Sequence, residues 1–457
     1  MALRSKAHTA LAALRAELAG QVLAPDDPGY DAARAVFDAR AERRPAVIAR
    51  CADTADVVRA VRFARELDLR VAVRGGGHGL AGGAGADGAL LVDLRRMRRV
   101  TVDPAAGTAR VEGGATIGRL DRAAQLHGLA TTGGRDSAVG VAGFVLGGGT
   151  GWLDRVFGLA ADNLLGAELV TAGAERVRAS AGEHPELFWA LHGAGGNFGV
   201  ATALTLRLHL LPEFSLALLA FAPRHGPRVV RAFREIIRTG PDEVGGAVLC
   251  VTGPRGPWAP AGQPLCAALL TYAGPWAGLR ALAAPLRALP YDAELAGDLP
   301  YAGAQRLLDT PAGLRAHWSA QCLTGLPDAA VEAFCARAAA APEPAGTRLA
   351  LFPGGGAVAA GPRGSPVSGR DAPWTAHPYA AWADPADDER AAGWVREARA
   401  ALGPWSADAV PLNLVGDEGA ERVRAGLGAG NLLRLERVKR RYDPDNVFRA
   451  NHNIRPL

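Results

Sequence analysis

Lysine is nearly missing from this chain: it occurs at Lys6 and Lys439, and the rest of the 51 basic residues are arginines. These are spread along 457 residues without a basic cluster or interleaved aromatic platform, which excludes a nucleic-acid-binding surface. The net charge of +5 and pI near 9.2 leave a mild positive field that favours an anionic cofactor or substrate. Cysteine is also scarce. Cys51, Cys250, Cys266, Cys322 and Cys335 are odd in number, widely spaced and form no CxxC pair, which argues against a disulfide framework and a zinc site. No metal is expected. There is no run of about 18 apolar residues, so no membrane span is expected. Met1 to Gly20 has apolar residues at helical spacing but no continuous apolar stretch followed by a cleavage site, and reads as a surface helix. A cytoplasmic protein is the expectation. No repeat of 20 to 50 residues is seen.

What the chain does have is glycine, 58 residues of it, within ordinary globular values of 49% hydrophobic and 21% charged residues. Arg74-Gly75-Gly76-Gly77-His78-Gly79 follows the short apolar run Leu69 to Val73. Glycines let backbone approach a bulky anion, and successive free N–H groups cradle a pyrophosphate, so this loop reads as a cofactor seat with one histidine inside it. A second segment runs from Gly133 to Leu153 and leads into Phe157 to Asn163. Its glycine content predicts neither a good helix nor a strand, but backbone packed against something large and flat. The nicotinamide fingerprint does not fit, because it needs a helix straight after the loop; here Leu80-Ala-Gly-Gly-Ala-Gly follows. Asp93, at a tempting distance, ends a strand.

Periodicity predicts a β-α-β unit: a strand at Pro45 to Cys51, an amphipathic helix from Thr54 to Leu67, then Leu69 to Val73 and Ala89 to Leu94 as strands. Next come a strand at Thr108 to Glu112, a helix from Thr116 to His127, and strands at Ala167 to Thr171 and Arg176 to Ala179. Gly199 to Leu210 alternates as a half-buried strand. Beyond Pro212 the texture changes to Trp-containing, Pro/Gly-rich sequence with a helix from Pro327 to Ala341 and loops at Pro353 to Gly356 and Gly361 to Arg370. A last helix spans Asn431 to Arg441.

Six markers in order carry a resemblance: Arg74 to Gly79; Gly140-Val-Ala-Gly143 with Leu146-Gly-Gly-Gly149; Asp162-Asn163; Glu183 to Leu191; Gly193-Ala-Gly-Gly-Asn197-Phe-Gly199; and Arg441 to Arg449 with Asn451-His-Asn453. Together they resemble the berberine-bridge-enzyme-like FAD-linked oxidases of the vanillyl-alcohol oxidase and p-cresol methylhydroxylase superfamily. The resemblance implies an α+β fold: a two-part FAD-binding domain over 1–212 (core about 43–212), a substrate domain over 213–410 with an antiparallel sheet covered by helices, and a segment 411–457 that returns to the FAD domain. It implies FAD bonded through its 8α-methyl group to His78. The implied cofactor contacts are Arg74, Gly75, Gly76, Gly77, Gly79 and Leu80 in the first loop. In the second they are Gly134, Asp136, Ser137, Gly140, Val141, Gly143, Gly147, Gly148, Gly149, Gly151, Trp152 and Leu153. Asn163, Val200, Asn413, Asn451 and Asn453 complete the set. The implied reaction is hydride transfer from a small organic molecule, a secondary metabolite, to flavin N5, with dioxygen as acceptor.

The chain departs from the family pattern in three places. Where some relatives attach flavin to a second cysteine stands Asp136, which cannot form a thioether, so a single tether is expected. Where many place a base tyrosine, two residues before the match to Asn413, stands Pro411, and a glutamate position on a substrate-domain strand is apolar in Leu349 to Phe352. The remaining catalytic candidates are Asp136, His317 and Tyr379, with His377, Tyr272 and Tyr301 also in view. Asp136 reads either as a base with a pKa raised by burial or as an inert partner of Arg135. Two alternatives keep every motif: oxidative cyclisation or oxygen insertion on a polyketide-like intermediate, and a flavin-binding protein without turnover. Oligomeric state is not encoded in anything legible.

Overall fold

Three main sheets organise the chain, seen in a computed structural model that describes residues 2–41, 43–79, 86–251, 263–342, 347–362 and 364–457. The first sheet has the order Gln21–Leu23, Val47–Arg50, Leu90–Asp93, Val71–Arg74, and its last three strands are parallel. The helix Thr54–Glu66 makes the crossover. Asp53 caps it by accepting from the Asp56 amide, and Val57, Ala60, Val61 and Ala64 bury one face against the sheet. Because Val71–Arg74 is an edge strand, its carboxyl end opens into the glycine loop at the margin of the sheet.

The second sheet is antiparallel, ordered Val100–Asp103, Thr108–Glu112, Val200–Arg207, Leu164–Val170, Arg176–Ser180. Its central strand corrects the half-buried expectation. Val200 to Leu204 is buried on both faces, with Val200 in the core below the first sheet and Ala201 on the opposite side. The strand also stops at Arg207; His209–Leu210 pairs separately with Leu129–Ala130.

From Ser215 to Trp382 an eight-stranded antiparallel sheet runs Ala293–Asp298, Ser215–Phe221, Leu265–Tyr272, Val244–Val251, Arg348–Pro353, Trp374–Trp382, Arg315–Trp318, with Gln321–Leu323 also on Trp374–Trp382. Helices Gly226–Thr239, Asp328–Ala339 and Asp388–Ala401 cover one face through Leu349, Leu351, Ala376 and Ala380. The period of two puts Leu249, Ala350 and Phe352 on the other face, over Trp152 and Leu153 of the first half.

The helix Ala429–Tyr442 packs through Leu435 and Val438 into the core of the second sheet. Lys439, fully buried, then fastens the tail: its ammonium donates to Asp443 Oδ2 (2.7 Å), Asn197 O (2.7 Å) and Phe448 O (2.9 Å). Asn197 adds a second clasp, donating to Ala194 O and His452 O and accepting from the Ile454 amide. No helix among the described residues is long and apolar enough to cross a membrane.

Candidate functional site

A cavity of about 400 Å³ lies where the two glycine segments, the face of the eight-stranded sheet turned away from its helices and the C-terminal tail converge. The glycine segments cross. A Cβ on Gly76 would overlap the Gly140 amide nitrogen, and one on Gly140 would overlap that of Gly76. Backbone meets backbone, so neither side can give. Gly76→Ala is therefore expected to part the loops, lowering stability by about 1–3 kcal/mol and emptying the cavity of cofactor; flavin absorbance per protein and the thermal midpoint report both, and a wild-type flavin content would reject the crossing as the reason for glycine.

The second segment does not stay irregular. Val141–Leu146 forms a short helix, against the glycine-based expectation, because Val141, Val145 and Leu146 find a buried face there and Gly143 faces the cavity where nothing crowds it. Gly147 is needed for another reason: a Cβ would strike Asn413 Oδ1.

His78 ends the first loop on the cavity wall, its ring stacked on Phe37 with centroids 4.5 Å apart. Burial lowers its pKa below the usual histidine value, opposed by the charges of Asp136 and Asp309, so the imidazole is kept neutral with a lone pair to share. On the large sheet, the register of two strands aligns cavity residues in rungs: Arg348 beside Tyr379, and Ala350 beside His377. His377 is buried. Its Nδ1 contacts Ser319 O at 2.8 Å, and since a carbonyl only accepts, Nδ1 carries the proton and Nε2 keeps its lone pair. Burial first, then Arg348 and Arg135, push its pKa down to about 3.

A native pKa of about 3 against 6.5 for the free side chain means that between these values the unfolded chain binds the proton and the native one does not. Stability from this group is thus present above pH 6.5 and lost as pH falls toward 3, with a slope of about 1.4 kcal/mol per unit. Comparing urea midpoints of wild type and His377→Gln at pH 7 and pH 5 isolates that slope; parallel losses would contradict it.

Of the residues singled out by sequence, Arg74, Gly75, Gly76, Gly77, His78, Gly79, Gly134, Asp136, Gly140, Gly143, Gly147, Asn413, Asn451, Tyr379 and His377 share this cavity. Leu80 lies outside the described residues. Ser137, Val141, Gly148, Gly149, Gly151, Trp152, Leu153, Asn163, Val200 and Asn453 do not line it. Ser137 turns its amide and hydroxyl to Asp309. Asn163 is consumed by Phe157 O, Leu159 O and His209, while Trp152 and Leu153 are packed beneath the large sheet. Arg74 lines the wall but its charge is spent, since its guanidinium is 1% exposed and bonded to Asp93 (2.8 Å), Ala33 O and Ala35 O.

The catalytic candidates separate in the same way. His317 pairs with Ala380 and so falls on the helix-covered face, away from the cavity. Tyr272 also packs on the helix side, and Tyr301 is buried below the sheet without reaching the wall. Asp136 is on the wall but forms no bond to Arg135. Its oxygens accept from the amides of Ala138 (2.9 Å) and Thr310 (3.1 Å), which ties the loop to the half that carries the eight-stranded sheet. Arg135 instead lies against Asp154 (3.5 Å) between Trp152 and Phe352. Sequence reasoning missed Arg135, Trp318, Arg348, Ala350 and Phe352 as wall residues; only the pairing register of their strands could have found the last four.

The site fits a flavin dinucleotide. Gly76, Gly140 and Gly147 each leave no space for a Cβ, and Asn413 Oδ1 and Asn451 Oδ1 are buried acceptors without a partner among the described residues, each aligned by its own Nδ2, on Phe144 O and Gly196 O. Such orphaned acceptors call for N–H or O–H donors from a ligand.

Known proteins agree. The FAD binding domain family matches residues 45–180, and the berberine and berberine-like family matches 420–455. The crystal structure of 6-hydroxy-D-nicotine oxidase from Arthrobacter nicotinovorans superposes with a TM-score of 0.85 at 31% identity, covering 96% of this chain and 99% of that one. The chain belongs to the berberine-bridge-enzyme-like FAD-linked oxidases. Like other members of this family it is an FAD-dependent oxidoreductase of α+β fold. Two curated relatives align over less than half their length: (R)-6-hydroxynicotine oxidase of Paenarthrobacter nicotinovorans is 42% identical over 198 residues, 43% of each chain. Glucooligosaccharide oxidase of Sarocladium strictum is 36% identical over 195 residues, 41% of this chain and 38% of that one.

Proposed function

We propose that this oxidase holds FAD by a single covalent bond to His78 and oxidises a small, partly aromatic organic molecule, a secondary metabolite, with dioxygen as electron acceptor. The observation that carries the reading is His78 itself: a half-buried imidazole whose pKa burial lowers, stacked on Phe37 beside the glycine loops, in a cavity whose wall also holds Leu249, Ala350, Phe352, Trp318 and Tyr379 of the large sheet. With Asp136 where a second tether would need a thiol, one bond is all the wall supports. A bound FAD would supply the two-electron oxidant for the substrate carbon, with dioxygen as the final acceptor.

The protein's part is placement. Gly75 to Gly77 and Gly140 hold backbone against the cofactor, and Asn413 and Asn451 offer their free Oδ1 atoms to it. His377 Nε2 accepts a hydrogen bond from the O–H or N–H on the carbon being oxidised and so orients that carbon. Burial and two arginines disfavour its imidazolium, which makes His377 an orienting acceptor more than a store for the proton. His377 thus contributes orientation at a site where Pro411 supplies no base.

Acid denaturation of the purified protein tests the tether. Yellow colour staying with the His78 peptide, heavier by one FAD, is the expected result, followed by peroxide release on substrate screening; free FAD in the supernatant would remove the bond. Anaerobic bleaching of the bound flavin by a substrate would exclude a binding protein without turnover.

A further inference from the structure

We propose that Arg348 is an anion-recognising residue of the substrate site, so that the molecule oxidised is a small aromatic acid whose carboxylate pairs with this guanidinium. The inference rests on the reading that the cavity takes FAD and, against the large sheet, a substrate. Three arginines line the cavity wall, and two of them are neutralised: Arg74 by Asp93 at 2.8 Å and Arg135 by Asp154 at 3.5 Å. Arg348 has no ion pair among the described residues. It lies over the Tyr379 ring, 4.3 Å from the centroid, and reaches Thr310 Oγ1 at 3.4 Å. Asp136, on the same wall, gives its oxygens to the Ala138 and Thr310 amides. This half-buried guanidinium, held over an aromatic ring, has no carboxylate partner among the described residues, and its fork of N–H donors matches a ligand carboxylate in two parallel bonds.

The stack below it is rigid. Tyr379 itself lies on Trp318, centroids 5.4 Å apart and planes 19° apart, so the guanidinium is presented from a fixed aromatic platform. Alternation then sets a length. Arg348 and Ala350 point to the same face, and their rungs hold Tyr379 and His377, so the anion anchor and the orienting acceptor sit two residues apart along the strands, on the order of 7 Å. An aromatic ring carrying a carboxylate at one end and the oxidisable group at the other spans that step, and the small Ala350 beside His377 is the wall residue at its far end.

Titrating the FAD-loaded enzyme with benzoate and with benzamide, while following the visible flavin spectrum, tests the proposal. The expected result is a saturable benzoate shift, with benzamide at least about tenfold weaker, and an Arg348→Met variant that loses at least about tenfold in benzoate affinity yet binds benzamide unchanged; the tenfold threshold corresponds to one lost charge-assisted contact. Arg348→Lys should recover part of the loss. Equal binding of the two probes, or benzoate binding unchanged in Arg348→Met, would overturn the anion site while the flavinylated His78 peptide, measured on the same samples, keeps the oxidase reading intact. Unchanged benzoate affinity with slowed reoxidation by dioxygen would place Arg348 on the oxygen step and also overturn it. A wild-type protein with no flavin fails the reading underneath, and the proposal with it.

Discussion

His78→Ala is expected to yield a protein that surrenders its flavin on acid precipitation and reduces it at least about tenfold more slowly while it holds it. The retention follows from the wall: without the tether, the Gly76 and Gly140 backbones and the free Oδ1 atoms of Asn413 and Asn451 still offer contacts, so flavin binds but exchanges. The slower step follows from electronics. An imidazole on the 8α carbon withdraws density from the ring and raises its potential; each 30 mV of a two-electron couple is about 1.4 kcal/mol, a factor of ten in equilibrium. The variant also loses the ring stacked on Phe37, which is why His78→Phe is the better control for packing. Rapid anaerobic mixing of each variant with a substrate, and dialysis against buffer, measure the two effects. A variant that keeps its colour through acid would sink the tether outright.

Lys439→Met carries the largest expected loss of stability. The ammonium and Asp443 are both 0% exposed, and removing the cation leaves a carboxylate buried with amide donors from Val447 and Phe448 but no counter-charge. Breaking one half of a buried pair costs about 3–5 kcal/mol, and here the carbonyls of Asn197 and Phe448 lose their ammonium donor as well, Phe448 O keeping a 3.4 Å bond from Asn451 Nδ2. The damage should reach the cavity, because the same clasp brings Phe448, Ala450, Asn451 and His452 to its wall. Urea midpoints and flavin content should therefore fall together. The double change Lys439→Met with Asp443→Asn removes the isolated charge and should recover much of the midpoint. If the single variant matches wild type, the pair is not what holds the tail.

The cofactor loops were legible because their constraint is chemical and local in kind. A position that must carry no Cβ admits one residue, so Gly76, Gly140 and Gly147 show themselves whatever they touch. Their company was misleading in one respect: the helix Val141–Leu146 forms despite flanking glycines, because tertiary burial of its apolar face outweighs propensity. Arg74 and Asn163 belong to the same motifs yet serve the scaffold, bonded to Asp93 and to His209. Motif membership cannot separate the two roles, since a guanidinium or an amide bonds whatever the fold brings within 3 Å.

By itself, the sequence pointed to two glycine-rich segments around His78 as a cofactor seat, and the order of its motifs, through the family they resemble, pointed to the α+β fold. Which side chains face that cofactor was decided only by the tertiary structure. His317 and His377 are both strand histidines of similar surroundings in the chain, and nothing in their neighbours ranks them. The pairing of Trp318 with Tyr379, and of Ala350 with His377, puts one imidazole over the cavity and the other under helices. Side chains alternate along a strand, so a shift of one residue in register would exchange them, and register is a property of the assembled sheet.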